Sequence, residues 1–284
     1  MPNNNLLTEI QGSMEGFTKT EKKIADYVLK NTDKVLFMSI TELAENCKVA
    51  DASVHRFCRT MKVKGYQEFK MKLSLSSNTE EQAVNEGLAN LSDEGIEGKW
   101  NRQLEQHLNV LKETRLLIKK DDIEKTVAMM EQAKNIYFFG IGDSLITAKE
   151  ARNRFQRITN KVTCVEDPHM QAMTASLMGP EDMIFFISYS GATKDNIYVA
   201  SIAQSLGVKM IGITRFAKSP LTSYTDIVLL CGSNEGPMDG GSFGAKISQL
   251  YIIDILFQEY YRRNKSLSLE NNHKTSKAVV DKLY

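Results

Sequence analysis

The stretch that decides the fold of this chain lies at residues 182–193 and reads DMIFFISYSGAT. Its first six residues, rich in Met, Ile and Phe, predict a buried strand, and the segment from Ser188 to Thr193 predicts a tight, hydroxyl-rich loop. A helix-length segment follows at residues 194–206 and is closed by Gly207. A buried strand that leads through a short loop into a helix is the repeating unit of parallel sheets, so this region is predicted to be α/β.

The same pattern occurs on both sides of this stretch. Other short apolar runs, which we predict to be strands, lie at residues 135–140, 161–165, 208–214 and 226–232. Helical patterns precede the first run at residues 100–118 and 123–133, and another follows the last run at residues 245–261. We therefore expect a parallel sheet with helices on both faces, an α-β-α sandwich.

The first third of the chain predicts short helices and no strand. Capping boxes, in which a hydroxyl and a carboxylate bond the free amides of a helix start, are predicted at Thr18–Glu21 and at Ser39–Glu42. A third helix is predicted from an apolar stripe at helical spacing, formed by Val54, Phe57, Cys58 and Met61. This part is expected to be an all-α domain.

The face opposite this stripe carries positive charge. Arg56 and Arg59 lie near its centre, and Ser53, His55 and Thr60 lie on its flanks. The surrounding segment is basic, with cations at Lys48, Arg56, Arg59, Lys62, Lys64, Lys70 and Lys72. A helix that follows a tight turn and presents arginines and hydroxyls suits the major groove of DNA. The alternative is an ordinary solvated helix face, which every amphipathic helix has.

Residues 39–70, SITELAENCKVADASVHRFCRTMKVKGYQEFK, resemble the N-terminal domain of the RpiR family of sugar-phosphate-responsive regulators. The matching positions are Ile40, Glu42, Leu43, Ala44, Val49, Ala52, Val54, Arg56, Phe57, Cys58, Gly65, Tyr66 and Phe69. The resemblance implies a helix-turn-helix whose second helix, the recognition helix, binds double-stranded operator DNA. The DNA contacts it implies are Ser53, His55, Arg56, Arg59, Lys62 and Lys64.

Two residues depart from the family pattern. Ala50 stands where a serine usually caps the recognition helix, so capping is expected to pass to Asp51 or to be lost, at about 1 kcal/mol. Lys62 stands where a glycine usually ends that helix, so a strained or altered turn is expected there.

Two loops of the α/β region combine glycines with hydroxyls at predicted strand ends, where parallel sheets bind ligands. They run from Gly140 to Ser144 and from Ser188 to Thr193, and each precedes a helix, whose free amides suit a phosphate. A dinucleotide fingerprint is disfavoured because its third glycine is Leu145. A purely structural turn remains an alternative for the second loop.

The pair of loops resembles the SIS domain, a sugar-isomerase fold that binds phosphosugars. The resemblance covers residues 123–261 and implies a phosphosugar site. Its implied residues are Gly142, Ser144, Ser188, Tyr189, Ser190, Gly191 and Thr193, with Tyr189 acting through its backbone amide. His169 follows a strand and could also reach the sugar, although a helix cap or a polar contact is the alternative.

The domain organisation follows from these patterns. We predict a helix-turn-helix domain at residues 1–77, a polar linker at residues 78–99 and a SIS domain at residues 100–284, with its core at about 123–261. The four cysteines are scattered singly, so neither a zinc site nor a redox motif is expected. Since the chain has neither a signal peptide nor an apolar run long enough to span a membrane, it is expected to be cytoplasmic.

The leading functional hypothesis is a transcription regulator of carbohydrate metabolism, without enzymatic activity or cofactor. A sugar phosphate would act as effector, and a homodimer or homotetramer would bind the operator. One alternative is a phosphosugar isomerase, which needs a general base. Its candidate bases are Glu150, Glu166, Asp167, His169 and Glu235. A second alternative is a protein-binding adaptor that uses the helical domain for contacts.

Overall fold

The structure, a computed structural model, describes residues 5–77, 95–232, 236, 243–280 and 282. These residues form two compact units. The first contains the helices up to Leu108, and the second begins at Asn109 and contains the sheet. Each unit has its own hydrophobic core.

Six helices and one 3-10 turn form the first unit up to Ser76. They are α1 (Leu6–Ser13), the 3-10 turn (Met14–Gly16), α2 (Lys19–Lys30), α3 (Thr32–Leu36), α4 (Ile40–Cys47), α5 (Asp51–Thr60) and α6 (Tyr66–Ser76). Both predicted capping boxes are present, at the starts of α2 and α4. The sequence patterns did not predict α1 or α3.

Aromatic rings form the centre of the first core. Phe57 of α5 makes edge contacts with Phe17 and Phe69, at ring-centroid distances of 5.5 and 5.8 Å. The predicted stripe of α5 is buried in this core, with Phe57 fully inaccessible. The opposite face of α5 is therefore turned to solvent, as the periodicity predicted.

The long helix α7 (Ile96–Leu117) begins within the predicted linker, four residues before Trp100. Residues 78–94, most of that linker, lie outside the described residues. The division between the two units falls inside α7, between Leu108 and Asn109.

The second unit alternates strands and helices. Its elements are α8 (Lys120–Gln132), β1 (Asn135–Gly140), α9 (Asp143–Phe155), β2 (Val162–Cys164), α10 (Pro168–Ala175), β3 (Asp182–Ile187), α11 (Lys194–Ser205), β4 (Lys209–Thr214), β5 (Ile227–Leu230), α12 (Phe243–Arg263) and α13 (Lys265–Val280). All five predicted strands are present, with ends that differ from the prediction by two residues at most.

The five strands form one parallel sheet in the order β2-β1-β3-β4-β5. Alternate side chains enter opposite layers: Phe185 packs with α8, α9 and α12, whereas Phe186 packs with α10 and α11. The predicted α-β-α sandwich is confirmed. The polar tail after Arg263 forms α13, whose Asn271 and Thr275 donate to the carbonyls of Ile158 and Arg157, just after α9.

Candidate functional sites

The turn between α4 and α5 gives the first unit its helix-turn-helix geometry. Lys48 closes α4 in the left-handed conformation, with φ of 54°. Ala50 provides no side-chain cap for α5. The carboxylate of Asp51 accepts a hydrogen bond from the Thr41 hydroxyl at 2.7 Å and thereby joins the start of α5 to α4. The start of α5 is therefore held by a contact between helices and not by a side-chain cap.

Five of the six predicted DNA-contacting residues are exposed: His55, Arg56, Arg59, Lys62 and Lys64. Ser53 is the exception, because it is only 8% exposed and its hydroxyl accepts a hydrogen bond from Arg56 Nη2 at 3.0 Å. Its predicted place on the exposed flank is therefore wrong. The reason is that Ser53 lies one helical turn before Phe57 and shares its buried face. Ser53 thus orients Arg56.

The end of α5 keeps a left-handed turn although no glycine is present. Lys62 has φ of 54°, and the next residue, Val63, donates its N–H to the carbonyl of Cys58 at 3.0 Å. Val63 is buried, so the chain is anchored directly after the helix. The turn is thus preserved, and Lys62 carries the backbone strain that the sequence predicted.

The two hydroxyl-bearing loops of the second unit lie at the same edge of the sheet. The last residues of β1 and β3, Gly140 and Ile187, are paired in register, so both chains leave the sheet side by side. The helix α9 begins at Asp143, which places Ser144 in its first turn and not in the loop as predicted. The loop from Ser188 leads into the first turn of α11. Two helix N-termini therefore begin at adjacent strand ends.

Gly191 makes the second loop compact. Its φ is +58°, and a Cβ built on it would lie 2.1 Å from the hydroxyl oxygen of Ser219. Its N–H donates to the carbonyl of Ser188 at 3.2 Å, and the hydroxyl of Ser190 accepts the N–H of Ala192 at 3.2 Å. Both the left-handed backbone and the close approach of Ser219 require glycine at this position.

The end of β4 supports the same loop. The carbonyl of Tyr189 accepts hydrogen bonds from the Thr214 hydroxyl at 3.0 Å and from the N–H of Arg215 at 3.1 Å. The ring of Tyr189 packs edge-on against Phe216. Ser188 is 2% exposed. The ring of Tyr189 is therefore used in packing, and the loop is fixed by its backbone.

Thr193 is the N-cap residue of α11, but its hydroxyl makes no capping bond. It is half-buried, as are Ser144 and Ser190, whereas Gly142 is exposed. Gly142 is the N-cap of α9 and has φ of +60°. The hydroxyls of Ser144, Ser190 and Thr193 are thus partly accessible beside two helix starts.

Sequence reasoning missed Gln171, a buried residue of α10. Its side-chain amide donates to the carbonyls of Gly140, at 3.2 Å, and Val165, at 2.8 Å. It thus ties the end of β1 to the segment after β2. No local pattern marks this residue, because both of its partners lie in other elements.

Two cations at this edge are already paired with carboxylates. Lys246, in the first turn of α12, lies 3.3 Å from Asp143 at the start of α9. Arg215 follows β4 and lies 3.1 Å from Glu113. Sequence reasoning did not consider Arg215. An anionic ligand at this edge would therefore compete with Asp143 and Glu113 for these two cations.

His169 lies in the first turn of α10, but the structure does not bring it against the loop hydroxyls. Its side chain is 96% exposed and lies 3.8 Å from Asp167. Of the other candidate bases, Glu166 pairs with Lys149 at 2.7 Å, and Glu235 lies outside the described residues.

In the described part of the chain, no three His, Cys, Asp or Glu side chains form a group that could hold a metal ion. No described helix is long and apolar enough to cross a membrane.

Comparison with protein families assigns both units. Residues 4–80 match the model of the helix-turn-helix domain of the rpiR family, and residues 129–258 match the SIS domain. An HTH-type transcriptional regulator of Haemophilus influenzae is 31% identical over 282 residues, which are 98% of this chain and 97% of that protein. The HTH-type transcriptional regulator HexR of Pseudomonas aeruginosa is 30% identical, over 92% of this chain and 94% of HexR.

A solved structure is similar over the whole chain. It is the NanR protein of Vibrio vulnificus complexed with ManNAc-6P. The TM-score is 0.85 and the sequence identity is 30%, and the match covers 98% of this chain and 99% of NanR.

Proposed function

Because the chain belongs to the RpiR family of helix-turn-helix transcriptional regulators, we propose that α5 binds operator DNA and that the sheet edge of the second unit binds a phosphorylated sugar that modulates this binding. The observation that carries the proposal is the arrangement of the two loops. Ser144 and Ser190 follow paired ends of β1 and β3, each beside a helix N-terminus. Such an edge offers amides and hydroxyls to a phosphate.

The DNA-binding role of α5 is supported by its exposed face. Arg56 and Arg59 are the cations near its centre, and Arg56 is oriented by Ser53. An arginine side chain can donate two hydrogen bonds to O6 and N7 of guanine, whereas Lys62 and Lys64 are suited to contact phosphates. Arg56 and Arg59 would therefore carry selectivity, and the lysines would carry the salt-dependent part of the affinity.

The nature of the effector is supported by the sheet edge and by the similar structure. NanR is complexed with ManNAc-6P. In this chain Ser144, Ser190 and Thr193 would bond the phosphate, and Gly191 would allow its close approach. Lys246 and Arg215, now paired with Asp143 and Glu113, would add positive charge. His169 would reach the sugar only by moving its exposed side chain.

The coupling we propose is a linkage between the two sites. A homodimer or homotetramer would present two recognition helices to the two halves of an operator, and effector binding would change their spacing. The protein would act in the cytoplasm, where the operator is, and as a regulator without turnover of the sugar. Glu166, one of the candidate bases, is paired with Lys149 and would have to leave this pair to take a proton from a sugar.

The test measures effector and DNA binding on the same full-length chain. ManNAc-6P is expected to raise the melting temperature, and unphosphorylated ManNAc is not. Ser190→Ala with Thr193→Ala should abolish this shift. Arg56→Ala with Arg59→Ala should abolish binding to a duplex selected by the wild-type chain from a random library, while the exposed Lys125→Ala should not.

A panel of sugar phosphates extends the test. If no member of the panel alters either the melting temperature or the affinity for the selected duplex, the sensing role is wrong. If ManNAc-6P is isomerised on incubation with the chain, the proposal that the protein does not convert the sugar is wrong.

A further inference from the structure

Glu21 forms a connection that its capping box does not require. One carboxylate oxygen, Oε2, accepts the N–H of Thr18 at 2.9 Å and the Thr18 hydroxyl at 2.7 Å. The other oxygen, Oε1, accepts the hydroxyl of Thr60 at 2.7 Å. Thr60 is the last residue of α5, 39 residues along the chain. The carboxylate at the start of α2 is thus bonded to the end of the recognition helix.

The hydrogen bonds to this carboxylate keep it ionised. The hydrogen bonds from Thr60 and then from Thr18 lower the pKa of Glu21, and the positive charge of Arg56 lowers it further. Burial acts in the opposite direction; it is weaker than these hydrogen bonds but stronger than the effect of Arg56. Glu21 therefore stays ionised, and its carboxylate is bonded to an exposed hydroxyl at the end of the recognition helix.

The apolar core fixes which face of α5 is buried, and directional hydrogen bonds further restrict how the helix can rotate. Phe57 is fully buried and contacts Phe17 and Phe69 through ring edges. A hydrogen bond depends steeply on distance and angle. The bond between Thr60 and Glu21 holds the end of α5 at one rotation, and the bond between Ser53 and Arg56 orients the arginine on it.

We propose that Glu21 is a positioning residue for the DNA-binding surface, which it holds through Thr60. The proposal rests on the proposed function of α5. A carboxylate near DNA ordinarily weakens binding by repelling phosphates, so its removal would ordinarily strengthen binding. Its removal is expected instead to weaken binding to the preferred sequence, while binding to DNA of arbitrary sequence stays the same or becomes tighter.

The test uses the full-length chain and two DNA probes, the duplex that the wild-type chain selects from a random library and poly(dI-dC). Glu21→Ala should weaken binding to the selected duplex by about tenfold, near the lower end of what one good base contact contributes. Its affinity for poly(dI-dC) should be unchanged or higher. Glu21→Gln should keep most of the selectivity, because its amide can still accept from Thr18 and bond the Thr60 hydroxyl.

A double-mutant cycle separates positioning from direct DNA contact by Thr60. Thr60→Val should lose selectivity as Glu21→Ala does, and the double variant should be no worse than either single variant. If the two losses multiply, Thr60 contacts DNA by itself and the proposal is overturned. Tighter binding of Glu21→Ala to both probes would also overturn it, since Glu21 would then be only a repelling charge.

Stability and the proposed function are checked separately. Circular dichroism melting should show Glu21→Ala folded at the binding temperature; a loss of affinity that follows its unfolded fraction would overturn the proposal. If Arg56→Ala with Arg59→Ala loses the selected duplex but Glu21→Ala binds as wild type, the Glu21 proposal alone is wrong. If the arginine variant also binds as wild type, the proposed DNA-binding surface is wrong and the role of Glu21 falls with it.

Discussion

Lys48 and Lys62 have the same left-handed backbone conformation, with φ of 54° at each, and each follows one of the two helices of the helix-turn-helix. A residue with a Cβ is strained in this conformation, whereas glycine is not. We expect Lys48→Gly and Lys62→Gly each to raise the free energy of unfolding by about 1 kcal/mol. Urea denaturation of the full-length chain measures this change.

DNA binding distinguishes the two lysine variants. Lys62→Gly should weaken binding to any duplex and reduce the salt dependence by about one phosphate contact. Lys48→Gly lies outside the proposed surface and should bind as wild type. Equal losses in both variants would contradict the assignment of Lys62 to the DNA surface.

Gly191 and Gly142 both have positive φ, but only Gly191 is crowded. Gly142→Ala should lower the free energy of unfolding by about 1–2 kcal/mol through backbone strain alone. Gly191→Ala should lower the free energy of unfolding by about 1–3 kcal/mol more than Gly142→Ala does, because its Cβ would displace the buried Ser219. In addition, ManNAc-6P should no longer raise the melting temperature of the Gly191→Ala variant. Gly179→Ala, which meets open space, is the control, and equal effects of all three substitutions would contradict the crowding.

Replacing two buried side-chain amides by leucine should have different effects on the free energy of unfolding. Gln171→Leu leaves the carbonyls of Gly140 and Val165 without their donor and should cost about 1–3 kcal/mol. Neither polar side-chain atom of Asn196 has a hydrogen-bond partner, so Asn196→Leu should be neutral or stabilising. Chemical denaturation measures both variants, and a comparable loss in Asn196→Leu would mean that its amide is bonded.

Lys70 predicts a pH-dependent contribution to stability. Its ammonium group is buried and donates to the carbonyl of Met38 at 3.2 Å. Burial lowers the pKa of Lys70 to about 8, against a smaller opposing effect of the charge of Glu42. The ordinary pKa of lysine is about 10.4, so charging Lys70 opposes folding below pH 8 by on the order of 3 kcal/mol. This cost is relieved as the pH rises from about 8 to about 10.4.

The comparison with Lys70→Met isolates this effect. The variant lacks the charging cost, so its stability relative to wild type should be highest and constant below pH 8 and should fall above it. Burial also raises the pKa of Cys58 to about 12, but this residue is present in both proteins and its effect cancels in the difference. Urea denaturation at several pH values measures the difference, and a difference that is independent of pH would contradict the lowered pKa of Lys70.

Much of the fold was predictable because its causes are local in the chain. The capping boxes at Thr18 and Ser39 join residues three positions apart, and the apolar run of β3 is buried on both faces as its composition predicts. Sequence reasoning also placed the loop from Ser188 to Thr193 at a strand end, and the register of β1 with β3 places both loops at one edge. Some element ends were predicted wrongly: Ser144 was placed in a loop but lies inside α9. The start of α9 has no side-chain cap, so the sequence carries no capping signal there.

The sequence by itself determined the five strands, the helices that begin with a capping box or carry a clear apolar stripe, and which face of α5 is apolar, because neighbouring residues set these properties. Only the tertiary structure decided that Glu21 bonds Thr60 and that Gln171 ties two strand ends together. The physical reason is that these contacts join residues of different elements. Whether such residues meet depends on how the elements pack, and the apolar pattern of one element does not contain that information.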